Sequence, residues 1–143
     1  MEIRIERFKG DYRFLSNFFD SVIVVDGIEY RTVEHAFQAA KTTDPEWKET
    51  IRSARTPGES KRLGKEAPLR PGWEAMKVRT MLKCLREKFK DETLRTMLLA
   101  TGDAELIEGN TWGDTFWGVW HGKGSNMLGK LLMKVREEIK GGG

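Results

Sequence analysis

Three side chains that could carry acid–base and nucleophilic chemistry recur at helical spacing within residues 32–43. They are Glu34, Gln38 and Lys41. At 100° per residue they fall within about 60° of one another, beside an apolar face. If this polar face lines a cleft, the carboxylate can move protons and the amine can act as a base or as a nucleophile toward carbon. The alternative is a solvated helix face with weak ion pairing.

A second group of candidate residues is rich in tryptophan and lies within residues 110–120. Its aromatic rings could stack on a flat heterocycle, while an amide and a carboxylate bind the polar edge of that ring or a ribose hydroxyl. The alternative is that the rings fill the core. The group consists of Asn110, Trp112, Asp114, Phe116, Trp117 and Trp120.

A third group is the glycine-rich segment 121–126, which runs into the predicted last helix. Glycines that expose backbone N–H groups, the amine of Lys123 and a helix N-terminus near Asn126 together could seat a phosphate. The alternative is a plain loop, because the full spacing of a P-loop is absent. Asn17 is a fourth candidate, although asparagine more often turns the chain than binds a substrate.

Composition narrows the classes of function that these residues can serve. The net charge of +3, from 25 basic and 22 acidic side chains, is too small for a duplex-DNA binder held by charge alone, yet it suits a small anionic substrate. Two histidines and one cysteine cannot build a transition-metal site from nitrogen and sulfur ligands, so we expect no metal and no cofactor. Cys84 lies among apolar residues and is expected to be a buried thiol. A charged start and the lack of a long apolar stretch predict a cytoplasmic protein with no membrane segment.

The elements that must position these residues are mainly helices. We expect an α+β fold, mainly α-helical, in a single compact domain spanning 1–143, with a small antiparallel hairpin, about five to seven helices and a disordered tail at 141–143. The hairpin is predicted at 22–30 around Asp26-Gly27, with 3–8 as an added strand. Short strands are predicted at 106–108 and 116–120. Helices are predicted at 32–43, from Pro45 onward, at 56–64, at 73–89, from Asp91 to Gly102, and at 125–139.

Read in order, nine segments of the chain resemble the NADAR (YbiA-like) family over nearly its whole length. A series of ordered blocks at compatible spacing is far more specific than any one motif. The segments are Phe14-Leu-Ser-Asn-Phe18, Thr32-Val-Glu-His-Ala-Phe-Gln-Ala-Ala-Lys41, Ala54-Arg-Thr-Pro57, Lys61-Arg-Leu-Gly64, Trp73, Met76-Lys77, Leu98-Leu-Ala-Thr-Gly102, Asp114-Thr-Phe-Trp-Gly118 and Gly124-Ser-Asn-Met-Leu-Gly129. The chain departs from many relatives at Phe19-Asp20, and Trp120-His121 is particular to it.

The resemblance implies an N-glycosidase that cuts the bond between an anomeric ribose carbon and a nitrogen. The implied substrates are phosphoribosylaminopyrimidine intermediates of riboflavin synthesis or ADP-ribosylated guanine, as a nucleoside or within nucleic acid. By the same resemblance Glu34 and Lys41 are expected to be catalytic, and we count the pocket carboxylate Asp114 with them. The expected substrate-binding residues are Asn17, Phe18, Gln38, Asn110, Trp112, Trp117, Lys123 and Asn126.

Two routes of bond cleavage remain open at this point. Lys41, made neutral by desolvation, could attack the anomeric carbon and form a Schiff base with the opened ribose while Glu34 shuttles protons. Glu34 could instead activate water, with Lys41 holding a phosphate or a hydroxyl. Both routes require the Glu34 face of the helix and the 110–117 turn to line one hollow. A non-catalytic module that binds ADP-ribose or a nucleotide is the alternative to an enzyme.

Overall fold

The computed structural model describes residues 3–142 and shows an α+β fold dominated by helices, as predicted. The described residues form six α-helices, one short 3-10 helix and four short strands. The chain forms two compact units. We call Asn17–Lys88 the central unit, and residues 3–16 together with 89–142 the terminal unit.

The central unit begins with a hairpin and continues with four helices. Strand β2 (Ile23–Val25) pairs antiparallel with β3 (Ile28–Tyr30), which confirms the predicted hairpin. Asp26 and Gly27 turn the chain with φ angles of 52° and 81°, as a two-residue type I′ turn requires. The helices are α1 (Val33–Ala40), α2 (Pro45–Arg52), α3 (Pro57–Glu66) and α4 (Trp73–Lys88).

Each of the first three helices of the central unit starts at a residue whose side chain caps the helix. The Thr32 hydroxyl accepts from the third N–H of α1, and Asp44 and Thr56 cap α2 and α3 in the same manner. Pro45 and Pro57 occupy the first helical position, where a missing N–H costs nothing. These caps fix where α1 begins and how α2 and α3 follow it.

Helix α1 packs against α2, α3 and α4 and forms the middle of the central unit. Its residues from Val33 to Ala39 are all buried. The Phe37 ring lies 5.2 Å from the Trp73 ring of α4, centroid to centroid. Other buried apolar side chains of this core are Ile23, Tyr30, Ile51, Met81 and Leu85.

The terminal unit joins residues from the two ends of the described chain. Strand β1 (Arg4–Ile5) pairs in parallel with β4 (Glu105–Leu106), and a 3-10 helix spans Gly10–Leu15. The predicted addition of 3–8 to the hairpin is therefore wrong. An alternating apolar pattern predicts a strand but does not specify its partner.

Two further helices complete the terminal unit. They are α5 (Glu92–Ala100), which Asp91 caps as predicted, and α6 (Met127–Lys140). Residues 116–120 do not form the predicted strand; only isolated bridges join Gly109 to Val119 and Trp120 to Lys123. The carbonyls of this segment accept hydrogen bonds from the start of α6, which leaves no regular ladder.

The described residues contain no helix long and apolar enough to cross a membrane. At the end of α6, the Gly141 N–H donates to Glu137 O and the Gly142 N–H to Ile139 O. Gly143, the last residue of the predicted disordered tail, lies outside the described residues.

Candidate active site

Helix α1 places Glu34 and Gln38 one turn apart on its buried side. The side chains are 7% and 3% exposed. Gln38 Nε2 donates to Glu34 Oε2 at 2.6 Å. The alternative of a solvated helix face is therefore wrong for these two residues. A carboxylate held in this way is restricted to one orientation, which acid–base chemistry requires.

The start of α1 is fixed by a histidine that bridges two segments. His35 Nδ1 lies 2.8 Å from Thr32 Oγ1, and His35 Nε2 lies 3.0 Å from Ala54 O. Because a carbonyl only accepts, Nε2 carries the proton and Nδ1 accepts from the hydroxyl. Burial lowers the pKa of His35, which favours this neutral ring. His35 orients α1, and Glu34 beside it acquires its position from that orientation.

Lys41 lies at the C-terminal cap of α1 and is half-buried. Its Nζ is 5.9 Å from the centroid of the Phe37 ring. Burial lowers the pKa of Lys41, while the Glu34 carboxylate opposes that shift. The neutral amine, which is the nucleophilic form, is therefore more abundant near neutral pH than it is for an exposed lysine.

Three further lysines act electrostatically on Lys41, and the sequence predicted no role for them. Lys61 and Lys65 come from α3 and Lys77 comes from α4. Their charges add to burial in lowering the pKa of Lys41. Lys77 also pairs with Glu74 at 2.6 Å. A concentration of positive charge around the Lys41 amine favours an anionic ligand such as a phosphate.

Asn17 joins the same unit through its backbone and its side chain. The Glu34 N–H donates to Asn17 O at 3.1 Å, so the two residues are held together. The Asn17 side chain is 9% exposed, and its Nδ2 lies 3.5 Å from Met81 Sδ. Its Oδ1 is buried and has no hydrogen-bond partner among the described residues. Such an oxygen is suited to accept from a ligand N–H or hydroxyl. The neighbouring Phe18 ring is 45% exposed.

The tryptophan-rich turn of the terminal unit is braced by its own polar side chains. Asn110 Nδ2 donates to Asp114 O at 2.8 Å, and the Asp114 N–H donates to Asn110 Oδ1 at 3.0 Å. Asp114 Oδ1 accepts from the N–H groups of Phe116 and Trp117 at 3.0 and 2.8 Å. Trp112, at the tip, is 60% exposed, so core filling does not account for it.

The glycine-rich segment 121–126 does not provide the predicted phosphate seat at a helix N-terminus. Helix α6 begins at Met127, and the N–H groups of Met127 and Leu128 already donate to Phe116 O and Trp117 O. The seat requires those donors to face a ligand, so this part of the interpretation is wrong.

The two residues that were assigned to that seat have other hydrogen-bonding partners. The Asn126 side chain donates to Leu106 O and accepts from the Glu108 N–H, both at 2.9 Å. Lys123 is exposed, and its backbone pairs with that of Trp120 around a tight turn. A contact of Lys123 or Asn126 with the substrate stays a prediction.

Cys84 is buried, and burial raises the pKa of its thiol to about 12, so it is not a nucleophile. Within residues 3–142 no group of three or more histidine, cysteine, aspartate or glutamate side chains could hold a metal ion.

Within each unit the structure brings predicted residues together. The central unit joins Asn17, Glu34 and Gln38 by direct hydrogen bonds and adds Lys41 to the same helix. The terminal unit joins Asn110 and Asp114 within the turn that carries Trp112 and Trp117. The expectation that both groups line one hollow stays a prediction.

Known proteins are similar to this chain in sequence and in fold. The family described as the NADAR domain matches residues 6–140. The chain is 45% identical to N-glycosidase YbiA of Escherichia coli K12 over 133 residues, which covers 90% of this chain and 82% of that protein. It is 39% identical to a riboflavin biosynthesis protein of Vibrio vulnificus over 134 residues, which covers 91% of this chain and 36% of that longer protein.

A solved structure shows the same architecture. The NMR structure of the E. coli protein YbiA superimposes with a TM-score of 0.85 at 42% identity, and the match covers 98% of this chain and 87% of that one.

Proposed function

This chain belongs to the NADAR family and is an N-glycosidase. We propose that Glu34 and Lys41 cleave the bond between an anomeric ribose carbon and the nitrogen of a base in a phosphorylated substrate. The observation that carries the proposal is the buried polar face of α1, where an oriented carboxylate and a half-buried amine share one helix. Because the chain is an enzyme, the alternative of a non-catalytic binding module is wrong.

The reaction needs a nucleophile that attacks the anomeric carbon and a group that delivers a proton to the leaving nitrogen, and Lys41 and Glu34 supply these. Lys41 Nζ, as the neutral amine, attacks the anomeric carbon while the bond from that carbon to the base breaks. The base leaves with the electron pair, and the proton that the Lys41 nitrogen then loses passes through the Glu34 carboxylate to the base. As the ribose ring opens to an imine, the remaining proton of that nitrogen passes through Glu34 to the ring oxygen, which becomes a hydroxyl. Water hydrolyses the imine and restores the amine.

The positive charge around Lys41 supports a substrate that carries phosphate. Lys61, Lys65 and Lys77 all act electrostatically on Lys41. A phosphate near these ammonium groups would gain from several charges at once. The same charges also lower the pKa of the Lys41 amine, beyond the effect of burial, since they disfavour a fourth ammonium group.

Three more of the predicted residues are proposed to act on the substrate. Asn17 Oδ1, which is buried without a hydrogen-bond partner among the described residues, would accept a hydrogen bond from the ribose or the base. Trp112 would stack on the base, since it is a large exposed ring. Asp114 would place a negative charge against the positive charge that develops on the sugar.

We propose a phosphoribosylaminopyrimidine of riboflavin synthesis as the substrate. Support comes from the riboflavin biosynthesis protein of V. vulnificus and from one of Zea mays, which is 34% identical over 81% of this chain. The test is to incubate the protein with a phosphoribosylaminopyrimidine and, separately, with ADP-ribosylated guanosine or guanine-modified DNA, and to identify the freed base by mass spectrometry. Release of the pyrimidine alone supports the proposal, and release of guanine alone overturns it in favour of the other substrate class.

Glu34→Gln tests the role of the carboxylate. The change is nearly isosteric, and Gln38 can still donate to the new side chain, so the fold and substrate binding should persist. Turnover should fall by roughly 10²–10⁴-fold, because the proton donor is lost. Glu46→Gln, an exposed glutamate of α2, is the matched control and should retain full activity. A Glu34→Gln variant as active as the wild type would remove Glu34 from the mechanism.

A further inference from the structure

A glycine in the last turn of α3 lies against the side chain that holds Glu34. Gly64 is buried inside a helix, where glycine is less favourable than alanine by roughly 0.5–1 kcal/mol. Its backbone has no positive φ that would call for glycine. A Cβ at this position would lie 1.9 Å from Gln38 Oε1, 2.8 Å from Cδ and 3.2 Å from Cβ. The Gln38 amide therefore occupies the space that a side chain at position 64 would fill.

The amide of Gln38 has one orientation that satisfies its surroundings. Its Nε2 donates to Glu34 Oε2 at 2.6 Å. The reverse orientation would set the amide oxygen against a carboxylate oxygen, which is repulsive. In the observed orientation Oε1 faces Gly64 and has no hydrogen-bond partner among the described residues. The close approach of the α3 backbone thus confines the amide, and the amide confines the carboxylate.

We propose that Gln38 is a positioning residue that holds the Glu34 carboxylate, and that Gly64 keeps Gln38 in place. This inference rests on the proposed function, in which Glu34 moves protons. Gln38 acts through Glu34 and Gly64 acts through Gln38. Neither effect depends on a contact with the substrate. The specific consequence is that a methyl group on α3 changes the proton chemistry of a residue on α1.

The experiment compares Gly64→Ala with Gly58→Ala in the same helix. A Cβ at Gly58 meets only Thr56 Oγ1, at 3.9 Å, so the control adds the same atom without a collision. Gly64→Ala should lower kcat by roughly 10- to 100-fold, the effect of a lost hydrogen bond to a charged group, with little change in KM. Gly58→Ala should leave both parameters at the wild-type values.

The pH–rate profile distinguishes positioning from a general loss of structure. A carboxylate that loses a hydrogen-bond donor binds its proton more tightly. Glu34→Gln should remove the limb of the profile that reflects titration of Glu34. In Gly64→Ala the same limb should remain and move to higher pH. If Gly64→Ala does not fold, Gln38→Leu removes the same donor at similar volume and should move the same limb in the same direction.

A double-mutant cycle tests whether Gly64 acts through Gln38. Truncation by Gln38→Ala opens the space that a Cβ at position 64 needs, so adding Gly64→Ala to it should cause no further loss of kcat. Additive losses would overturn the proposed link. The inference would be overturned, and the proposed function left intact, if Glu34→Gln were inactive while Gly64→Ala and Gln38→Leu both kept the wild-type kcat and pH profile. An active Glu34→Gln would instead refute the proposed function.

Discussion

At the scale of single residues, Lys41 offers the most direct chemical test of the mechanism. If its amine forms an imine with ribose, borohydride added during turnover should reduce the imine and leave a stable sugar adduct on Lys41, found by peptide mass spectrometry. Lys41→Arg keeps the charge but cannot form the imine, so it should abolish the adduct and lower kcat by roughly 10²-fold or more. Lys65→Arg, in the same group of lysines, should leave the adduct unchanged.

The same residue makes the reaction depend on pH with a defined sign. Attack requires the neutral amine, so kcat/KM should rise as pH rises through the pKa of Lys41, which burial places below the ordinary value of 10.5. Full activity of Lys41→Arg, together with no adduct in the wild type, would instead favour water attack directed by Glu34.

Spacing along α1 predicted Glu34, Gln38 and Lys41, because residues three and four apart share a helix face. The same reasoning could not find Gly64, since its role depends on how α3 approaches α1. The sequence instead predicts Gly64 as the end of the helix at 56–64, since glycine commonly ends helices, whereas α3 continues to Glu66. The contribution of Lys61, Lys65 and Lys77 was hidden for the same reason.

At the scale of elements, the turn that contains Asp114 separates two roles of one side chain. Asp114→Ala removes the acceptor for two backbone N–H groups and should lower the free energy of unfolding by about 1–3 kcal/mol. Asp114→Asn keeps an Oδ1 acceptor but removes the charge. It should therefore unfold within about 1 kcal/mol of the wild type, yet lose roughly 10-fold or more in kcat if the carboxylate faces the sugar cation.

Urea unfolding followed by circular dichroism gives the stabilities, and the base-release assay gives the rates. Full activity of Asp114→Asn would show that Asp114 serves the turn alone.

Helix starts were more predictable than strands. Thr32, Asp44, Thr56 and Asp91 each cap a helix through contacts within a few residues, and those contacts are written in the local sequence. The short parallel pair β1–β4 depends on a partner about one hundred residues away. Residues 116–120 have strand composition, but their carbonyls accept from the start of α6, so tertiary structure overrides the local preference.

At the scale of the whole molecule, Lys88 should make the stability depend on pH. Its side chain is 1% exposed, and burial lowers its pKa to about 7. Nζ lies 5.7 Å from the centroid of the Phe19 ring. Between pH 7 and the ordinary lysine value the unfolded chain binds a proton that the folded chain does not. The free energy of unfolding therefore rises with pH across this window. Below the window the amine is charged in the folded protein as well, and the full cost of burying that charge lowers the free energy of unfolding.

Lys88→Met should remove this dependence. The variant should be more stable than the wild type at about pH 6, and its advantage should shrink by roughly 1–3 kcal/mol at about pH 8.5. Urea unfolding at the two pH values measures the difference. Lys130→Met, at an exposed position of α6, is the control for removing an ammonium group from the protein surface. If the difference in free energy of unfolding between Lys88→Met and the wild type were the same at both pH values, Lys88 would titrate as an ordinary lysine.

The helix-rich class of the fold and the hairpin followed from patterns and composition, and nine ordered motifs identified the family. The division into two units did not follow, because it depends on which distant segments meet. Hydrophobic periodicity marks Ile5, Phe8 and Leu106 as core residues without indicating that two of them lie on paired strands.

The pairing of Arg4 with Glu105 has a consequence for how the protein is made. A ribosome that adds about 5–20 residues per second needs roughly 5–20 s to pass from one strand to the other. For most of that interval β4, α5 and α6 have not been made, so the early apolar side chains Ile5, Phe14 and Leu15 lack these elements of their own unit, whereas residues 17–88 have been made by the time α5 begins. Nascent chains of this protein are therefore expected to recruit chaperones through their earliest segment, and slower translation would prolong that exposure.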